Sequence, residues 1–98
     1  MPRLRLLLLE DAPADAELAL SALGDAGFIC GAEIAEGREA FERLFGPERF
    51  DLVIADYSLP SYTGLDALAL VRRADALLPF VLLSGALGEE REIGRAHV

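Results

Sequence analysis

Leu6-Leu7-Leu8-Leu9-Glu10-Asp11 is an apolar run that stops on two carboxylates, and Leu52-Val53-Ile54-Ala55-Asp56 repeats the form with one. Both runs are too short for helices and lack polar alternation, as expected of strands covered on both faces of a parallel sheet. Two other short apolar runs read the same way. The expected strands are therefore Leu4–Leu9, Phe28–Ile34, Leu52–Ala55 and Phe80–Leu83. Gly31 and Glu33 interrupt the second, which suits an edge position.

Helix-like segments separate these strands. Ala14–Leu23 carries Ala16, Leu20 and Leu23 on one stripe, with Pro13 near its start and Gly24 and Gly27 marking its end. Arg38–Leu44 sets Ala40, Phe41, Leu44 and Phe45 at helical spacing before Gly46-Pro47. Leu65–Ala76 is expected to bury Leu65, Leu68 and Val71 and to expose Asp66, Arg72, Arg73 and Asp75. The order β-α-β-α-β-α-β implies an α/β fold, one parallel sheet with helices on both faces and right-handed crossovers. No repeat, low-complexity tract or linker divides the chain.

The strand ends carry the chemistry. Ligands of open α/β sheets bind beyond the carboxyl ends of the strands, where the winding direction reverses. With strand two on one side of strand one and strand three on the other, Glu10, Asp11 and Asp56 converge in one crevice. Three carboxylates so placed repel one another, and a hard divalent ion with oxygen ligands, Mg²⁺ when phosphate is present, relieves the conflict. An ionised carboxylate beside such an ion can attack a phosphoryl group. Strand four ends on Ser84-Gly85-Ala86, whose hydroxyl could hydrogen-bond the product. Each residue alone has a plainer reading: Asp11 as a helix cap, Asp56 and Ser84 as turn residues. Their joint occurrence at successive strand ends is what points to phosphate chemistry.

Composition narrows the classes. The 98 residues carry 17 acidic and 9 basic side chains, a net charge of −8, and every one of those basic residues is arginine. Nucleic-acid phosphates demand a basic face, so direct binding to them is not expected. Cys30, the single cysteine, excludes an internal disulfide and is expected as a buried structural thiol in a reducing compartment. The start MPRLRLLLL has four successive leucines before Glu10, too few for a secretory signal, and no stretch approaches a membrane span. A cytoplasmic domain is the expectation.

Glu10-Asp11, Asp56, Leu59-Pro60, Gly64, Pro79-Phe80 and Ser84-Gly85, in that order and spacing, resemble the receiver domains of bacterial two-component systems, over Leu4 to Arg91. The resemblance implies a flavodoxin-like, doubly wound (βα)5 fold with strand order 2-1-3-4-5. It implies a signalling switch rather than a turnover enzyme, in which Asp56 takes a phosphoryl group from a histidine kinase or phosphotransfer protein. Asp11, Asp56 and the backbone carbonyl of Ser58 would bind Mg²⁺ directly and Glu10 through water, while the Ser84 hydroxyl would contact the phosphate. The wording around these motifs is similar to receivers fused to kinase or output domains.

The chain departs from that pattern in having no lysine and no recognisable fifth strand and helix. Residues 1–91 are read as the receiver, incomplete at its C-terminal side, and 92–98 as a non-native tail. Ile93–Val98 is what ATC GGA AGA GCA CAC GTC encodes, a string common in sequencing adapters, and continuous coding through it in the source genome would refute this. Without a fifth strand, Phe80–Leu83 is expected to present an unpaired edge.

Three alternative classes differ at named positions. A Mg²⁺-dependent phosphatase or phosphotransferase resembling the haloacid dehalogenases would place Asp-x-Asp after strand one, where Glu10-Asp11 stands. A nucleotide or flavin binder would want a glycine-rich first turn, where Ala12-Pro13-Ala14 stands. A receiver-like adaptor working without phosphorylation would not need the acidic triad.

Overall fold

Parallel strands flank β1 (Arg3–Leu9) on both sides in the computed structural model, which describes residues 3–46, 48–56, 62–83 and 96–97. β2 (Ile29–Ala35) pairs with it from Arg3↔Ile29 to Leu9↔Ala35, and β3 (Leu52–Asp56) from Leu6↔Leu52 to Leu9↔Ala55. β4 (Phe80–Leu83) adds in parallel to β3. Between the strands run α1 (Pro13–Asp25), α2 (Arg38–Leu44) and α3 (Gly64–Ala74). The order β2-β1-β3-β4 puts the change of winding direction between β1 and β3.

Alternation along the strands sorts the apolar residues into two cores. Leu7, Leu9, Val53, Ala55, Phe80 and Leu82 share the face covered by α2 and α3, where Phe41, Ala67 and Val71 close the packing. Leu6, Leu8 and Ile54 share the opposite face with Ala16, Ala19, Leu20 and Leu23 of α1. The two faces are unequally covered. On the α2/α3 side, residues of all three central strands are buried, whereas on the α1 side Leu52, Val81 and Leu83 are half-buried. One helix cannot span three strands.

The four strands and three helices fall where the sequence patterns put them, within a few residues. α2 and β4 match the expected bounds, and Pro13 stands in the first turn of α1. Gly27, at φ +100°, turns the chain out of α1 in a conformation that L side chains avoid. β2 is an edge strand, with Ile29 and Ile34 exposed, and Phe28 stands just outside it. Cys30 on this strand is half-buried rather than buried, because an edge strand is flanked on one side only.

Two further expectations need correction. α3 turns Gly64, Ala67 and Val71 to the sheet, not Leu65, which is about half exposed. The small side chains of Gly64 and Ala67 let the helix approach closely, and Leu68 and Leu70 then pack at its flanks. The helix ends at Ala74 rather than Ala76: Asp75 is extended, and its carboxylate accepts from the Leu77 N–H at 2.9 Å. The second correction concerns the outer edge of β4. Two residues, Ala96–His97 (β5), pair with it in antiparallel fashion opposite Leu83 and Leu82, so that part of the edge is not open.

Candidate phosphoryl-acceptor site

Asp56 is the last residue of β3, and Glu10 follows the last residue of β1. Because Leu9 is level with Ala55, the next residues on the two strands, Glu10 and Asp56, stand side by side at the switch point. The Glu10 N–H donates to the Ala35 carbonyl at 2.9 Å, which extends the β1–β2 ladder by one rung and fixes the start of this side chain. The chain then turns into α1, whose N-cap residue Ala12 has no capping side chain. Its N–H donates instead to Oε2 of Glu10 at 3.1 Å.

Glu10 is only 6% exposed, the one buried charged residue among those described. Burial, opposed by the Ala12 N–H, raises its pKa to about 7. The neighbouring Asp56 carboxyl adds to this by charge repulsion and by a hydrogen bond between the two side chains, and Asp15 adds further repulsion. Two carboxyls share one place, and a proton bridges them more readily than two full charges would fit. Asp56 is half-buried and so remains reachable from solvent.

Asp11 is exposed at the start of the turn, beside this pair. On its other side a cavity of about 250 Å³ opens between α1 and the end of β2, with Glu10, Asp11, Glu17 and Glu36 around it and no cationic side chain in its lining. Ser58 and Ser84 lie outside the described residues. Leu83, the register partner of Asp56, is the last described residue before Ser84.

Among the described residues no three acidic, histidine or cysteine side chains converge into a ready-made metal cage. Two carboxyls do converge, with an exposed third next in sequence, and that donor set fits Mg²⁺. This ion retains several waters and is held by one or two carboxylates plus substrate oxygens rather than by an all-protein cage. The repulsion from Asp56 that adds to the effect of burial on Glu10 is what a divalent cation would relieve.

Sequence reading missed two devices. One is the Glu10–Ala12 hydrogen bond, which has no residue signature because the donor is backbone. The other is legible: Thr63-x-x-Asp66 forms a capping box, with Oγ1 of Thr63 accepting from the Asp66 N–H at 3.2 Å and Asp66 Oδ2 accepting from the Thr63 N–H at 3.0 Å. It fixes the start of α3.

Comparison with known proteins agrees with this geometry. The non-phosphorylated HemR receiver domain of Leptospira biflexa superposes with a TM-score of 0.69 at 32% identity, covering 84% of this chain and 67% of that one. A response regulator protein of Thermotoga maritima, solved in complex with Mg²⁺ and BeF, gives a TM-score of 0.71 at 28% identity, covering 85% and 70%. A probable histidine kinase of Oryza sativa subsp. japonica is 28% identical over 92 residues, which are 94% of this chain and 8% of that protein. The chain thus corresponds to a small part of that relative's length. Among the described residues no helix is long and apolar enough to cross a membrane. The family model for the response regulator receiver domain matches residues 6–97, and the chain belongs to that family.

Proposed function

We propose that Asp56 accepts a phosphoryl group from a phosphohistidine of a histidine kinase or phosphotransfer protein, and that this Mg²⁺-dependent step makes the domain a signalling switch in the cytoplasm. The observation that supports it is the contact of the Glu10 and Asp56 carboxyls at adjacent strand ends on the switch point of the sheet. In the transfer an Asp56 carboxylate oxygen forms the new P–O bond while the P–N bond to the donor imidazole breaks. The imidazole nitrogen keeps that bond's electron pair and takes up a proton.

Glu10, Asp11 and Asp56, with the backbone carbonyl of Ser58, are the groups that would hold Mg²⁺. When bound, the ion offsets the negative charge on the transferring oxygens. The Ser84 hydroxyl would donate to the phosphoryl group after transfer. Glu10, held by the Ala12 N–H, keeps its carboxyl against Asp56. The likeness to a histidine kinase supports a fused kinase or output domain as the immediate partner.

Asp56→Asn keeps the size of the side chain and removes the nucleophile. Treatment with acetyl phosphate and Mg²⁺ should add one phosphoryl group to the parent by intact mass and none to the variant. Undiminished phosphorylation of Asp56→Asn would refute the assignment.

A further inference from the structure

A second cavity, of about 290 Å³, lies between α2 and α3, away from the carboxyl pair. Arg38 and Glu42 of α2 line it, as do Tyr62, Asp66 and Arg73 of the α3 segment, with Leu70 as an apolar wall. Tyr62 is 6% exposed, its ring packed 6.0 Å from that of Phe41 and under the Arg38 guanidinium at 6.0 Å. Among the described residues no hydrogen bond or ion pair reaches the Tyr62 hydroxyl or the Arg73 guanidinium. A buried phenol normally finds a partner, so the orphaned Tyr62 hydroxyl, beside the exposed Arg73 guanidinium, marks a place for an acceptor.

The other charges are partly committed. Arg38 Nε donates to Glu42 Oε2 at 3.2 Å, which leaves the rest of its guanidinium and Oε1 of Glu42 available. Asp66 spends Oδ2 on the Thr63 N–H and keeps Oδ1. The lining is therefore two cations against two anions. A simple anion would meet Glu42 and Asp66 as well as the arginines, on a chain whose net charge is −8. A ligand with a carboxylate and an ammonium group avoids that conflict. The size of the cavity, at the small end of the range for ligand pockets, suits a metabolite rather than a larger molecule.

We infer that the α2–α3 cleft binds a small dipolar carboxylate of the amino-acid class, its carboxylate on the Tyr62 hydroxyl and Arg73 and its ammonium group towards Glu42 and Asp66. The site is independent of the phosphoryl chemistry at Asp56. The test is a titration of the isotope-labelled 98-residue chain with glutamine, followed by amide shifts, with acetate and ethylammonium as half-ligand probes.

Glutamine should give saturable shifts confined to α2, α3 and the residues before α3, with a Kd on the order of millimolar. Tyr62→Phe removes one oxygen and keeps the ring. It and Arg73→Gln should each weaken binding by roughly three- to tenfold, the net worth of an ordinary hydrogen bond at a site open to water. Each half-ligand should bind at least about tenfold more weakly than glutamine. Absence of saturable shifts up to about 50 mM would overturn the proposal. Shifts unchanged by both variants, or acetate binding as tightly as glutamine, would overturn it too.

Discussion

Glu10→Gln should stabilise the metal-free protein at alkaline pH, although it removes the charge of a residue placed in the functional site. The folded pKa of Glu10 is about 7, above its ordinary 4.5, because burial and the adjacent Asp56 disfavour the charged form. The folded state therefore binds this proton more tightly than the unfolded chain does, and stability falls as pH rises from about 4.5 to about 7. A shift of this size corresponds to about 3 kcal/mol, fully present as a penalty above pH 7 and absent below pH 4.5. Glutamine has no charge to bury, and its carbonyl can still accept from the Ala12 N–H while its amide donates to Asp56. Urea denaturation of parent and variant should give midpoints that separate progressively between pH 4.5 and pH 8. The variant should gain up to about 3 kcal/mol on the parent across that range. Groups other than Glu10 and its partner Asp56 titrate in both proteins and cancel in the difference. Millimolar Mg²⁺ at pH 8 should narrow the gap by favouring the charged parent. A difference that stays flat with pH, or a variant that loses stability at pH 8, would refute the account of Glu10 as a buried, charge-crowded carboxyl.

Asp11→Asn should weaken Mg²⁺ binding about tenfold in a metal titration, and equal affinity would remove Asp11 from the ligand set. Thr63→Ala should cost about 1 kcal/mol in denaturation through loss of the capping box, while Thr63→Ser should cost little. Val53→Ala should cost about 2 kcal/mol and Val81→Ala roughly half that, since Val53 is fully buried under α2 and α3 and Val81 only half-buried beside α1. Equal losses would mean that the two faces of the sheet are equally well covered.

Strand positions were legible because β1, β3 and β4 are short uninterrupted apolar runs ended by a carboxylate or a hydroxyl, and β2 an interrupted one, while the strand order was what the resemblance to receiver domains implied. A buried parallel sheet leaves that mark whatever the details of packing. The rotation of α3 was not legible. Leu65, Leu68 and Val71 make as good a stripe as Gly64, Ala67 and Val71 on apolar character, and the choice depends on how closely the helix backbone nears the sheet. The carboxyl pair was half legible. Sequence brought Glu10, Asp11 and Asp56 to one crevice, but the direction each side chain takes after β1 depends on the Ala35 carbonyl and the Ala12 N–H, and backbone groups have no letter in a sequence. The pairing of Ala96–His97 with β4 likewise follows from free backbone groups along an edge and not from any apolar run.

The all-leucine core of β1 and the buried carboxyl at its end belong to one physical argument. Leu6, Leu7, Leu8 and Leu9 are buried almost completely, and each contributes about 1.5–3 kcal/mol relative to exposure. The summed gain exceeds the cost of about 3 kcal/mol for holding Glu10 ionised in a buried place beside Asp56. The strand is thus anchored firmly enough that its end cannot swing away to separate the two charges, and the ladder bond from the Glu10 N–H to Ala35 removes the last freedom of the backbone there. Relief has to come from outside the fold, by a proton at low pH or a cation at neutral pH. A softer strand would have relaxed the crowding and lost the site with it.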